Sequence, residues 1–170
     1  MAKPRSTKDI RKLATNLREV FELDKTPKFP VVEFLEIVLP IMDSKFEYHI
    51  ISKDEMGTLH GLTCPEEHCI KIREDVYDRA CLGYGRDRFT IAREIGHYLM
   101  HGIENITLAR LGNNKKVQAY EDPEWQANTF AAELLMPLNL INTNNATEIS
   151  EKFGVSYSAA AIRVKKINMH

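Results

Sequence analysis

Arg93, Glu94, His97 and His101 stand within the run RFTIAREIGHYLMHG, Arg88 to Gly102, and their spacing could do zinc-dependent hydrolysis but for one residue. In the pattern His-Glu-x-x-His, two histidines four apart share a helical face and bind zinc, while the Glu beside the first acts as general base on the metal-bound water. Arg93 occupies the position of the first histidine. A guanidinium stays protonated, offers no lone pair and repels a divalent cation.

Arg-Glu-x-x-His alone says little, because any solvated helix can show it. The rest of the helix is more informative. At about 100° per residue from Thr90, the side chains of Arg93, Glu94, His97 and His101 fall with Thr90 inside an arc of roughly 100°. Phe89, Ile91, Ala92, Ile95, Gly96, Leu99 and Met100 fill the remainder with apolar or small groups. A narrow polar stripe on an apolar rod is the pattern of a buried helix lining a cleft. The competing reading makes His97 and His101 core histidines satisfied by backbone carbonyls, with Arg93 and Glu94 reaching solvent.

A second segment, DPEWQANTFAAELLMP from Asp122 to Pro137, can supply partners. Asp122 is placed to cap a helix that begins at Pro123, and Pro137 limits it. Glu124 and Asn128 share a face flanked by Ala127 and Ala131, which let another helix approach. Zinc hydrolases of this motif commonly take a third ligand from a later helix, with an Asp or Asn one turn on orienting the histidines. Glu124 and Asn128 fit those roles. Taken alone, they also fit a first-turn Glu favoured by the helix dipole and an incidental Asn.

The elements that must position these groups are legible in outline. Ser6 can cap a helix carrying Ile10, Leu13, Leu17 and Val20, and Val31 to Leu39 reads as a short second helix stopped near Pro40. Phe46 to Ile51, Thr58 to Thr63 and Cys69 to Ile72 read as strands of a small meander. A helical piece around Asp75 to Cys81 leads through Gly83 and Gly85 into the Arg93 helix. Ile103 to Tyr120, with Gly112-Asn113-Asn114, reads as a turn-bearing connection. In the tail, Thr147 can cap a helix through Phe153, Gly154 closes it, and Ser156 caps another carrying Arg163, Lys165 and Lys166.

Composition bounds the rest. The chain has 170 residues, 44% hydrophobic and 28% charged, which suits one domain with a sizeable core. A net charge of -1 argues against a general polyanion binder. No apolar run approaches membrane-spanning length, and the N-terminus has no apolar signal region, so a cytoplasmic location is expected. Three cysteines give no disulfide framework. Cys64 and Cys69 with His68 could be imagined as a metal clip, but without a second pair they read, with Cys81, as reduced structural thiols.

Together, IREDVY, GRDRFTIAREIGHYLMHG, EWQANTFAAELLMP and FGVSYSAAAIRVKKI resemble the ImmA/IrrE-type metallopeptidases from about Lys71 to near the end. The resemblance implies an α+β, zincin-like single domain: a helical part over about 1–45, a core over about 46–137 and a helical tail over about 138–170. It makes Glu94 the general base, His97 the second zinc ligand and Glu124 the third. It places Arg93 where the family has its first His, so zinc is expected to bind weakly or not at all. Such proteins are commonly encoded by bacteria, phages and mobile elements, and characterised members cleave a helix-turn-helix repressor.

Three functions are compatible with these residues. The first is a pseudo-peptidase in which Arg93 fills the metal's place and pairs with Glu124, bidentately in the closest geometry. The second is an active zinc endopeptidase with a shifted site of His97, His101 and Glu124. The third is a DNA-binding regulator using the C-terminal helices, the second of which opens with YSAAA and is short of base-reading side chains.

Overall fold

Ser6, Asp122 and Ser156 cap helices where the sequence places them, and a computed structural model describes residues 2–101 and 118–169. Ser6 and Asp9 form a reciprocal capping box ahead of α1 (Thr7–Val20), which buries Ile10, Ala14 and Leu17. The expected connection from Ile103 to Tyr120 lies for the most part outside the described residues.

The second helix does not stop at Pro40. It runs from α2 (Val31–Glu33) through a π-helical turn (Phe34–Val38) into α3 (Leu39–Met42). In a regular helix Pro40 would press on the carbonyl of Glu36 and leave it without a donor. The wider turn, in which the Leu39 N–H reaches the Phe34 carbonyl, accommodates the ring.

The strands are β1 (Glu47–Ile51), β2 (Gly61–Cys64) and β3 (Cys69–Arg73), in the order β1-β3-β2. This corrects the expected meander, because β1 and β3 run parallel and only β2 and β3 form a hairpin. Burial explains the order. In β3, Cys69, Ile70, Ile72 and Arg73 are all buried, whereas Leu62 of β2 is 41% exposed and β1 has no buried residue. The strand that tolerates cover on both faces takes the centre, and α4 (Lys53–Met56) carries the chain from β1 past it.

Beyond the sheet come α5 (Glu74–Cys81), α6 (Gly85–Met100) with the Arg93 stripe, and α7 (Pro123–Leu135) with Glu124. One core links α1, the sheet, α6, α7 and the tail, from Ile10 to Ala160. The helices α6 and α7 meet closely at Gly96, where an added Cβ would lie 2.8 Å from Phe130 Cδ1. Gly96→Val is therefore expected to cost about 1–3 kcal/mol by overpacking, read as a lowered midpoint in urea denaturation.

The tail consists of α8 (Ala146–Phe153) and α9 (Tyr157–Ile167). Asn145, not Thr147, caps α8: its side chain accepts from the N–H groups of Thr147 and Glu148. Gly154 at φ 63° ends α8 in the left-handed region, and Ser156 caps α9 as expected. Among the described residues no helix is long and apolar enough to cross a membrane.

Candidate functional site

The polar stripe of α6 lines a cavity of about 390 Å³ closed by Gly61 and Thr63 of β2 and by Glu124 of α7. Glu94 and His101 are the most buried members of the stripe, each 2% exposed. Glu94 Oε1 accepts from Arg93 Nη2 at 2.7 Å and its Oε2 from Thr63 Oγ1 at 2.8 Å. Gly61 lets β2 come this close, since a Cβ there would stand 2.7 Å from Glu94 Cγ.

Arg93 is thus held first by its sequence neighbour. Its Nη1 is 4.0 Å from Glu124 Oε2, an ion pair but too long for a hydrogen bond, so the bidentate pairing expected with Glu124 is not formed. Glu124 sits in the exposed first turn of α7 and turns its other oxygen to His97, with Nε2 to Oε1 at 3.2 Å. That bond, aided by the charges of His97 and Arg93, holds the Glu124 carboxyl below its ordinary value against partial burial.

Behind His97 runs a relay absent from the sequence reading. His97 Nδ1 lies 3.0 Å from His101 Nδ1, and His101 Nε2 lies 3.0 Å from Gln126 Oε1. Gln126 donates through Nε2 to the carbonyls of Lys3 and Tyr120 at 2.8 and 2.7 Å, which leaves its oxygen as the acceptor. The bonding therefore puts a proton on His101 Nε2 and a lone pair on its Nδ1, so His97 donates from Nδ1 and aims Nε2 at Glu124. The one available hint was a wholly buried Gln on an apolar helix face.

Asn128 is not brought to the histidines. Its side chain is exposed and donates to the Glu124 backbone carbonyl at 2.9 Å. His101 is a core residue, as the competing reading had it, although its partners are side chains.

Burial holds His101 below the usual histidine value, helped by the charges of His97 and Arg5 and partly offset by the Gln126 bond. A folded-state value below the unfolded one of about 6.5 means the unfolded chain takes up the proton first, so stability falls as pH drops through that value. His101→Gln is expected to flatten the pH dependence of the urea midpoint between about pH 7 and 5. An unchanged slope would contradict the neutral relay.

A resident zinc requires three protein ligands as a rule, and the donor set here does not fit one. His97 Nε2 and the Glu124 carboxylate are suited to a cation, but both Glu94 oxygens are taken and the Arg93 guanidinium stands in the same space. Among the described residues the Arg93 Nε is buried without a partner, so they do not fully satisfy the guanidinium. The Arg93 guanidinium, 2.7 Å from Glu94 and 4.0 Å from Glu124, supplies positive charge between the two carboxyl groups.

On the far side of β2, Cys64 and Cys69 are direct cross-strand partners. Burial, and then the neighbouring Cys64, push the Cys69 thiol up to about 12. His68 does not join them: its Nδ1 bonds Asp43 Oδ2 at 2.9 Å, and Tyr98 donates to the same oxygen at 2.5 Å. Glu67 takes the place beside the sulfurs instead, with Oε2 3.6 Å from Cys69 Sγ.

In the tail, Arg163 is not a surface group. Its guanidinium makes two bonds of 2.8 Å to the Glu133 carboxylate and also donates to the Met136 carbonyl.

A helix carrying Glu94 and His97, a later helix carrying Glu124 and a small mixed sheet define an α+β protein of the metallopeptidase fold. The sequence profile of the IrrE N-terminal-like domain, a peptidase family, matches residues 52–165, well over half of the chain, and the chain belongs to that family. No curated protein gives a significant match.

Proposed function

We propose that this chain is a pseudo-peptidase of the ImmA/IrrE type that binds or regulates a helix-turn-helix repressor in the cytoplasm without cutting it. On this reading Arg93 stands where active relatives carry the first zinc-ligand histidine. The observation that carries the proposal is the Arg93 guanidinium, 2.7 Å from Glu94 and 4.0 Å from Glu124. It engages the candidate base and neutralises the candidate ligand, so zinc is bound weakly or not at all and water lacks the Lewis acid that would activate it. The repressor-like partner comes from the resemblance to characterised members.

The two other readings have less support. A shifted zinc site of His97, His101 and Glu124 needs a free nitrogen on His101, and both are engaged. DNA binding by the C-terminal helices loses Arg163 to the Glu133 pair, although Lys165 and Lys166 are exposed.

The test is to mix the full chain with the helix-turn-helix repressor encoded nearest its gene, measuring binding by calorimetry and cleavage by gel. Saturable binding with an intact repressor is the expected result. Repressor fragments that disappear with Glu94→Gln would overturn the pseudo-peptidase reading, and absent binding would overturn the partner.

A further inference from the structure

Cys64 ends β2 and Cys69 begins β3, opposite each other across the hairpin. The intervening Pro65–Glu67 is one 3-10 turn, closed by His68 at φ 50° in the left-handed region. That tight reversal folds Glu67 back over the two thiols. One Glu67 oxygen and both sulfurs lie within 4.8 Å of one another. Two ligands on a tetrahedral zinc, with legs of about 2.3 Å to sulfur and 2.0 Å to oxygen, stand roughly 3.5 Å apart. The 3.6 Å between Cys69 Sγ and Glu67 Oε2 is already close to that separation.

We propose that Cys64, Glu67 and Cys69 form a site for a thiophilic divalent cation such as zinc, with water in the fourth position. The thiolates favour zinc over magnesium or calcium, which prefer all-oxygen shells. Two thiolates and a carboxylate around a dication leave one net negative charge, and the Lys71 ammonium, 3.0 Å from Glu67 Oε2, balances it. His68 is not part of this cluster, and its Nδ1 bonds Asp43. The site ties the hairpin shut one residue after Thr63, whose hydroxyl holds Glu94, so its metal stiffens one wall of the cleft. It is independent of the Arg93 reading, because no residue is shared.

The test uses the full chain, metal-free and kept reduced with a phosphine, titrated with cobalt(II) and then zinc. Thiolate-to-cobalt charge-transfer absorption should saturate at one equivalent and be displaced by zinc, and zinc should raise the thermal midpoint. Cys64→Ser and Cys69→Ala should abolish the absorption, Glu67→Gln should weaken binding at least about tenfold, and Glu124→Gln should leave it unchanged. Circular dichroism of each variant separates lost ligation from lost fold. No charge-transfer band in the folded reduced protein, or a band that survives the cysteine changes, would overturn the proposal. Metal binding that disappears only with Glu124→Gln would assign the metal to the Arg93 cleft and overturn it equally.

Discussion

Arg93→His is expected to raise the zinc affinity of the α6/α7 cleft by at least about a hundredfold, since even outer-shell partners of a metal are worth roughly 10–100-fold. The new imidazole would lie one helical turn before His97 and complete a set with Glu124. His97 is ready for that role, because the relay from Gln126 through His101 leaves its Nε2 directed at Glu124. In the variant, metal at that nitrogen replaces the bond to the carboxylate. The same change removes the Arg93 donor from a Glu94 side chain that is only 3% exposed and leaves Thr63 as its remaining side-chain partner. The metal-free variant should therefore be less stable than the parent by about 1–3 kcal/mol. Zinc should restore the loss, because a ligand that binds only the folded state stabilises it by mass action. Zinc-dependent stabilisation in the variant, set against zinc indifference of the same cleft in the parent, is measured by denaturation with the cysteines replaced.

Glu133→Ala should have the largest effect on stability, about 3–5 kcal/mol, because it strands a buried cation. The side chains of Glu133 and Arg163 are 1% and 5% exposed, and Arg11 adds two further bonds to the same carboxylate. Burial by itself would raise the Glu133 carboxyl, but Arg163 and Arg11 outweigh it and hold the value below normal. Among the described residues, removing the carboxylate leaves Arg163 with the Met136 carbonyl alone. For a domain whose total stability is of order 5–15 kcal/mol, much of the folded population is at stake. The double change Glu133→Leu with Arg163→Met should recover most of the loss, since an apolar pair avoids desolvating two charges. Urea denaturation of the three proteins measures this, and a loss under about 1 kcal/mol in Glu133→Ala would contradict the account.

The site helices were legible because their signals are local. A 3.6-residue period gathered Arg93, Glu94, His97 and His101 on one face, and Ser6, Asp122, Gly154 and Ser156 marked helix ends through their own backbone chemistry. What escaped depends on distant packing. The sheet order follows from which strand is covered on both faces, and nothing between Phe46 and Ile72 states that. Pro40 looked like a stop because a π-helical turn is not written in any short pattern. Asn128 shares a face with Glu124, but helix neighbours face the same side without reaching the same partner, and its amide closes on its own backbone. The orienting role belongs to Gln126, whose acceptor is fixed by carbonyls of Lys3 and Tyr120, one of them over a hundred residues away in sequence. Arg163 has the sequence pattern of a basic surface residue, and only its distant partner Glu133 buries it.

On the proposed reading Arg93 excludes zinc from the cleft. That exclusion is tested most directly by counting zinc in the Cys64→Ser/Cys69→Ser protein after equilibration with the metal, beside the same protein carrying Arg93→His. No stoichiometric zinc is expected in the first and one per chain in the second, lost again on Glu124→Gln. One zinc per chain with Arg93 in place, removed by Glu124→Gln, would contradict that reading.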